Sequence, residues 1–152
     1  MTWPVELTGY VRKGIGGFYY VETAQGLYQC TARGKFRKER VSPYAGDRVR
    51  ITAEEDMTGA IQEILPRKNF LVRPPVANLD RLFLVTSMRD PAPEPLILDK
   101  TIAVAELRGI EPVLVFTKTD LEEAGELERT YRLAGLRCCV VSSVTGQGVE
   151  QV

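Results

Sequence analysis

The 152-residue sequence contains no histidine, which removes histidine acid–base catalysis and histidine metal ligation at the outset. Cysteine is scarce. Cys30 stands by itself, and Cys138 and Cys139 are adjacent, so on a strand they point to opposite faces. That is neither a disulfide framework nor a zinc spacing, and a reduced, cytoplasmic setting accounts for it most simply. Long apolar runs are also lacking: nothing reaches the length of a spanning helix, so no membrane partner is expected. The start Met1-Thr-Trp-Pro-Val-Glu6 has no basic segment followed by an apolar run, so it does not read as a signal peptide. No phosphate-cradling Gly-x-x-x-x-Gly-Lys-Ser/Thr occurs, because Gly34-Lys35 runs into Phe36 and lacks the earlier glycine. Charge of one sign is missing overall, with 20 Lys and Arg balancing 20 Asp and Glu.

What is present is globular in composition, 44% hydrophobic and 26% charged. The charge is unevenly spread. Residues 1–75 hold 12 basic against 8 acidic residues, and the remainder reverses those numbers, which favours two units with the first suited to a polyanion. The first 65 residues read as five short strands: Val5–Val11, Phe18–Thr23, Leu27–Thr31, Arg48–Ala53 and Gly59–Leu65. A long gap between the third and fourth suits an OB-fold barrel, with an SH3-like barrel as the alternative. Within that gap, Arg33, Lys35, Arg37, Lys38 and Arg40 surround Phe36, a cationic loop with an aromatic that suits RNA but also reads as an ordinary solvated loop. Phe18, Tyr19, Tyr20 and Tyr28 are to be divided between barrel filling and surface stacking. Gly14-Ile-Gly-Gly17 reads as a hairpin, and Asp56-Met-Thr-Gly59 as a turn between strands.

From Leu79 the period changes. Leu82–Ser87 is an apolar strand, and Asp90-Pro-Ala-Pro-Glu-Pro95 a proline loop. Leu96–Leu107 is a helix with two apolar ridges, Ile97/Thr101/Val104 and Leu98/Ile102/Ala105. The Val113–Phe116 strand, a helix over Leu121–Ala134 closed by Gly135, and a strand over Leu136–Val141 follow. Strand–helix–strand–helix–strand indicates a parallel sheet, whose ligands bind at the carboxyl ends of the strands.

Two loops fall at those ends. Thr117-Lys-Thr-Asp120 resembles the Asn-Lys-x-Asp guanine-specificity motif of GTPases, and Ser142-Ser-Val-Thr-Gly146 resembles the second base-contacting loop of that superfamily. Guanine offers an adjacent ring N–H and amine, and a carboxylate accepts both. Adenine leaves that carboxylate unpaired, a difference worth about 10⁴-fold in a buried site. By resemblance Asp120 is the carboxylate, the stem of Lys118 lies over the base, and backbone near Ser143 and Val144 meets the guanine carbonyl, with Thr117 and Thr119 completing the loop. Thr117 departs from the usual Asn, which implies weaker affinity and not a changed base preference. A competing reading makes Asp120 the cap of the following helix, with Glu123 completing a capping box.

The order of barrel, proline-rich junction and guanine-reading loops resembles the ribosome small-subunit-dependent GTPase A family (RsgA, also called YjeQ or EngC). The resemblance rests further on Gly16-Gly-Phe-Tyr-Tyr-Val21, Arg33-Gly-Lys-Phe-Arg-Lys38, Gly46-Asp-Arg-Val49, Pro66-Arg-Lys-Asn69 and Val76-Ala-Asn-Leu-Asp80. It implies an OB-fold barrel at 1–68, a linker at 69–79 and a partial circularly permuted P-loop GTPase domain at 80–152. Family members continue into a P-loop, switches and a zinc-binding domain, so this sequence is expected to be a piece of such a protein. The resemblance implies GTP or GDP with magnesium as cofactors of the intact protein, and zinc only in a further C-terminal domain. The implied partners are the small ribosomal subunit and its rRNA, with the intact protein a monomer and the fragment prone to association. Lacking a P-loop, the fragment is expected to hold no catalytic residue or metal and to hydrolyse no GTP. Two other readings stand beside it: a non-enzymatic OB-fold RNA-binding module with a degenerate α/β remnant, or a protein-interaction adaptor.

Overall fold

The computed structural model describes residues 2–34, 36 and 41–152. The chain divides into two compact units, Met1–Leu79 and Asp80–Val152. The first is built from β1 (Val5–Ile15), β2 (Phe18–Thr23), β3 (Gly26–Ala32), β4 (Arg48–Ala53) and β5 (Thr58–Ile64). They close into a barrel in the order β1-β2-β3-β5-β4, with β4 returning antiparallel to β1 and β3 lying parallel to β5. This is the OB-fold arrangement, and it discards the SH3-like alternative.

Alternation builds the barrel core. On β4, Val49, Ile51 and Ala53 point inward and are fully buried, while Arg48 and Arg50 face out. Val11, Val21, Tyr28, Cys30 and Ile61 complete the same cluster. Of the four aromatics in β2 and β3, Tyr28 is 1% exposed and fills the barrel, whereas Phe18 is 42% exposed at the β1–β2 hairpin. Burial pushes the Cys30 thiol up to about 11, which leaves it inert.

Residues 69–79, expected as a linker, belong to the first unit. They form a small ladder of β6 (Phe70–Leu71) and β7 (Val76–Ala77), and Ala77 N–H donates to the Ala45 carbonyl at 2.9 Å. Polar groups fasten it. Asn78 Nδ2 donates to the Gly46 carbonyl at 3.0 Å, and Asn69 exchanges two 2.7 Å hydrogen bonds with the backbone of Leu79. Gly46 is left-handed at φ 90°, and a Cβ there would sit 2.1 Å from the Ala77 carbonyl oxygen, so no larger residue fits this approach. Beneath lies Asp47, completely buried. Its two carboxylate oxygens each accept a 2.7 Å bond from the Arg67 guanidinium, and Oδ2 also accepts the Tyr44 N–H. Arg67 stacks 4.3 Å from the Tyr44 ring and 5.4 Å from Phe70, and donates to the Ser42 carbonyl. The hydrogen bonds to Asp47 hold the guanidinium above its ordinary value. Three of the sequence stretches that carried the family resemblance thus meet in one polar latch.

The second unit holds β8 (Arg81–Ser87), α1 (Pro95–Leu107), β9 (Glu111–Thr117), α2 (Gly125–Leu133), β10 (Arg137–Val140) and a terminal 3-10 turn at Val149–Gln151. The sheet order is β10-β9-β8, all parallel, with β9 central and its residues Val113 to Phe116 buried on both faces. Both helices terminate at a left-handed glycine: Ile110 N–H reaches the Ala105 carbonyl past Gly109, and Leu136 N–H the Tyr131 carbonyl past Gly135. They pack on one face through Leu98, Ile102, Ala124 and Tyr131 against Leu84, Leu114 and Phe116. The Tyr131 hydroxyl donates to Asp99 at 2.8 Å, tying α2 to α1, and burial with that bond pushes it up to about 12. Of the two ridges on α1, the Leu98/Ile102/Ala105 ridge is buried, and Ile97 and Val104 remain 58% and 47% exposed. Among the described residues no helix is long and apolar enough to cross a membrane.

The buried ion pair yields a first prediction. Asp47→Ala strands the Arg67 guanidinium and should cost about 3 kcal/mol, as removal of one partner of a buried pair typically does. Denaturation followed by Trp3 fluorescence measures it, because this single tryptophan packs on the barrel core. Arg50→Ala, which breaks only the exposed Arg50–Glu63 pair, should cost under about 1 kcal/mol.

Candidate functional site

The carboxyl ends of β8, β9 and β10 form one rim. Ser87 is paired with Thr117 across β8 and β9, and Val140 with Phe116 across β10 and β9, so both polar loops leave the sheet side by side. Thr117 closes β9, and its hydroxyl donates to the Thr86 carbonyl at 3.3 Å, towards β8. The chain then turns at Lys118, left-handed at φ 57°, with Leu121 N–H returning to the Lys118 carbonyl at 2.9 Å. The Lys118 ammonium donates to the Asp90 carbonyl in the proline loop. This holds the lysine stem across the rim.

Two contacts join the loops. Thr119 donates to the Val141 carbonyl with its hydroxyl at 3.0 Å and with its N–H at 3.4 Å. The Ser142 hydroxyl, fully buried, donates to Asp120 Oδ1 at 2.6 Å. Ser142 also organises its own loop: its Oγ accepts the Thr145 N–H at 3.2 Å and its carbonyl accepts the Gly146 N–H at 2.9 Å. Asp120 is exposed, and its Oδ1 is held by Ser142. Ser143 and Val144 are exposed on the turn beside it. The rim therefore presents a fixed carboxylate, a lysine stem and an exposed turn, a set able to read a flat donor-rich heterocycle.

The capping explanation for Asp120 is corrected by this geometry. The expected helix over Leu121–Ala134 begins only at Gly125, whose N-cap is Ala124 with no side-chain cap bond. Asp120 lies five residues before the helix, and its carboxylate turns to Ser142 instead. The loop-joining role of Thr119 carried no distinctive sequence signal, since a threonine between a lysine and an aspartate reads as filler.

Barrel residues expected to contact RNA divide differently. Phe36 is 6% exposed and lies in the barrel core, so it offers no stacking face and is removed from that set. Packing explains the change: Phe36 N–H donates to the Arg33 carbonyl in a tight turn that points the ring inward. Arg33 is exposed, and Lys35, Arg37, Lys38 and Arg40 lie outside the described residues. A cleft of about 540 Å³ opens nearby on the barrel, between the hairpin Arg12–Tyr19 and the Ser42–Ala45 segment. The ammonium of Lys13 stands 4.7 Å over the Tyr20 ring. Among the described residues no cluster of His, Cys, Asp and Glu is disposed to hold a metal. Cys138 and Cys139 face opposite sides of the sheet, which does not fit zinc.

An OB barrel followed by part of an α/β GTPase domain is the class this architecture defines. The family description "RsgA N-terminal domain" matches residues 8–61, and "RsgA GTPase" matches residues 64–152. The chain belongs to the RsgA family. It is 44% identical over 149 residues to the small ribosomal subunit biogenesis GTPase RsgA of Caldanaerobacter subterraneus, covering 96% of this chain and 50% of that protein. It is 39% identical to the protein of the same name from Halalkalibacterium halodurans, over 95% of this chain and 51% of that protein. Among solved structures, YjeQ from Thermotoga maritima superposes with a TM-score of 0.79 at 34% identity, covering 97% of this chain and 55% of that one. YloQ, a circularly permuted GTPase, gives 0.73 at 35% identity, covering 92% and 53%. The chain thus spans about half the length of the curated relatives it matches.

The Ser142–Asp120 contact carries a second prediction. Ser142→Ala removes the donor to Asp120 and the acceptor of Thr145 N–H, and should destabilise the α/β unit by about 1–2 kcal/mol. Unfolding followed by helical circular dichroism reads this unit, which contains α1 and α2. Ser143→Ala, on the exposed side of the turn, should change stability by less than about 0.5 kcal/mol.

Proposed function

We propose that this chain supplies the rRNA-binding barrel and the guanine-reading rim of a GTPase acting in late maturation of the small ribosomal subunit. The observation that carries the reading is the pairing of Asp120 with Ser142, which aligns two loops of the expected kinds at one sheet edge. In this reading Asp120 accepts the ring N–H and the amine of guanine. Ser142 orients that carboxylate, the stem of Lys118 covers one face of the base, and backbone at Ser143 and Val144 meets the guanine carbonyl. Thr117 and Thr119 brace the first loop. Thr117 leaves the base without the amide that the superfamily places there, so affinity is modest and guanine preference is kept.

In this reading the domains are an OB barrel over 1–68 with residues 69–79 fastened to it, and a partial circularly permuted GTPase domain over 80–152. Arg33, Lys35, Arg37, Lys38 and Arg40 contact rRNA phosphates, and the site of action is the cytoplasm. In the intact protein a P-loop and magnesium would hold and neutralise the phosphates. The sequence contains no Gly-x-x-x-x-Gly-Lys-Ser/Thr cradle. The intact protein works as a monomer, and zinc belongs to a further domain.

Titration of the isotope-labelled chain with guanosine monophosphate tests the base site without demanding a phosphate cradle. Amide signals at Thr119, Asp120, Ser143 and Val144 should move with guanosine monophosphate and stay still with adenosine monophosphate, and Asp120→Ala should abolish the response. Equal responses to both nucleotides would sink the reading. Purified chain should release no phosphate from GTP above background, with or without magnesium. Binding to small-subunit rRNA should weaken steeply with salt, and replacing Arg37 and Lys38 by Ala should lower the log–log salt slope by about 1–2.

A further inference from the structure

The barrel carries a second cleft, of about 460 Å³, beside the one between the β1–β2 hairpin and the Ser42–Ala45 segment. Gly17, Tyr19, Ser42 and Pro43 line both, so they form a ridge with a cleft on either side. Tyr19 is the aromatic member of that ridge. It is half-buried and packs against the barrel core. Gly14, its partner across β1 and β2, gives the ring room, since a Cβ there would lie 3.1 Å from Tyr19 Cε1. The ring is thus seated, while the hydroxyls of Tyr19 and Ser42 have no hydrogen-bond partner among the described residues.

The walls add flat apolar surface and positive charge. Phe18 and Tyr44 line the first cleft with Lys13, and Val41 and Ala32 line the second with Arg33. Neither Lys13 nor Arg33 forms an ion pair among the described residues. No Asp or Glu among them lines either cleft. Such walls suit a ligand that is planar and apolar in one part and anionic in another. An RNA duplex offers them only its phosphates, because its bases stay paired and stacked inside. A single strand can turn its bases outward onto an aromatic ring.

We propose that Tyr19 divides a two-base site for unpaired RNA: consecutive bases enter the two clefts on either side of its ring, and Lys13 and Arg33 meet the phosphates. This rests on the reading of the barrel as an RNA-binding unit and names the form of RNA it takes. The bases are held by the ridge, and the cations of the Arg33–Arg40 loop add only sequence-independent attraction.

Anisotropy of a fluorescein-labelled, mixed-sequence RNA dodecamer tests this. The 152-residue chain should bind the single strand, and annealing the complementary strand should weaken binding at least about tenfold. Adenylyl-adenosine should compete with the dodecamer at concentrations where adenosine monophosphate does not. Tyr19→Leu keeps apolar bulk but loses the flat ring, and should weaken binding about tenfold. Ser42→Glu, at an exposed ridge position that tolerates the change, should weaken it comparably. Thr8→Glu makes the same charge change at an exposed residue lining neither cleft, and should cost less than about threefold. Native circular dichroism of each variant confirms its fold. Equal or tighter binding of the duplex overturns the proposal and leaves the barrel an RNA binder. So does unchanged binding in Tyr19→Leu or Ser42→Glu, an equal loss in Thr8→Glu, or equal competition by the monophosphate. A chain that binds neither form of RNA overturns both this proposal and the RNA reading, and leaves the clefts to a protein segment.

Discussion

A carboxylate at the rim of a sheet is useful only if its direction is fixed, and the Ser142 hydroxyl fixes Asp120. Ser142 can do so because it is fully buried between its own loop and the end of β10, and because its backbone is held by Gly146 and Gln147. A buried donor at 2.6 Å restrains the orientation of this exposed carboxylate. The central strand β9 makes this geometry available. Buried on both faces and flanked by parallel neighbours, it brings Thr117 and the β10 exit to one level of the rim. The apolar run Val113–Phe116 and the polar loop after it are thus two halves of one arrangement.

The same division of labour appears in the barrel, where polar residues serve order more than contact. Asp47, Arg67, Asn69 and Asn78 read in the sequence only as parts of the stretches that carry the family resemblance. In the structure they hold the end of the barrel closed and draw residues 69–79 onto it. A completely buried carboxylate is tolerable there because both oxygens are engaged by one planar guanidinium, a match of fork to fork.

Much of this was legible beforehand, and the reasons are specific. The alternation Val49–Ile51–Ala53 and the unbroken run Val113–Phe116 have periods that follow directly from burial on one face or two. The OB topology was accessible from the long gap before β4. The misreadings arose where a side chain had two plausible partners. Asp120 before Leu121-Glu-Glu looks like a helix cap, and only the late start at Gly125 shows the carboxylate engaged elsewhere. Phe36 sits among cations and looks like a stacking platform, yet the barrel interior claims it. The junction looked like a linker because prolines mark it, whereas the asparagines that lock it make tertiary bonds that no local pattern encodes.

The direct test of the central claim exchanges the carboxylate for an amide. Asn at position 120 would offer one acceptor and one donor, the complement of xanthine, whose ring N–H lies beside a carbonyl where guanine carries an amine. Calorimetric or NMR titration of the chain and of Asp120→Asn with guanosine and xanthosine monophosphates reads this out. The parent should prefer guanosine monophosphate and the variant xanthosine monophosphate. An unchanged preference in the variant would mean that Asp120 does not face the base.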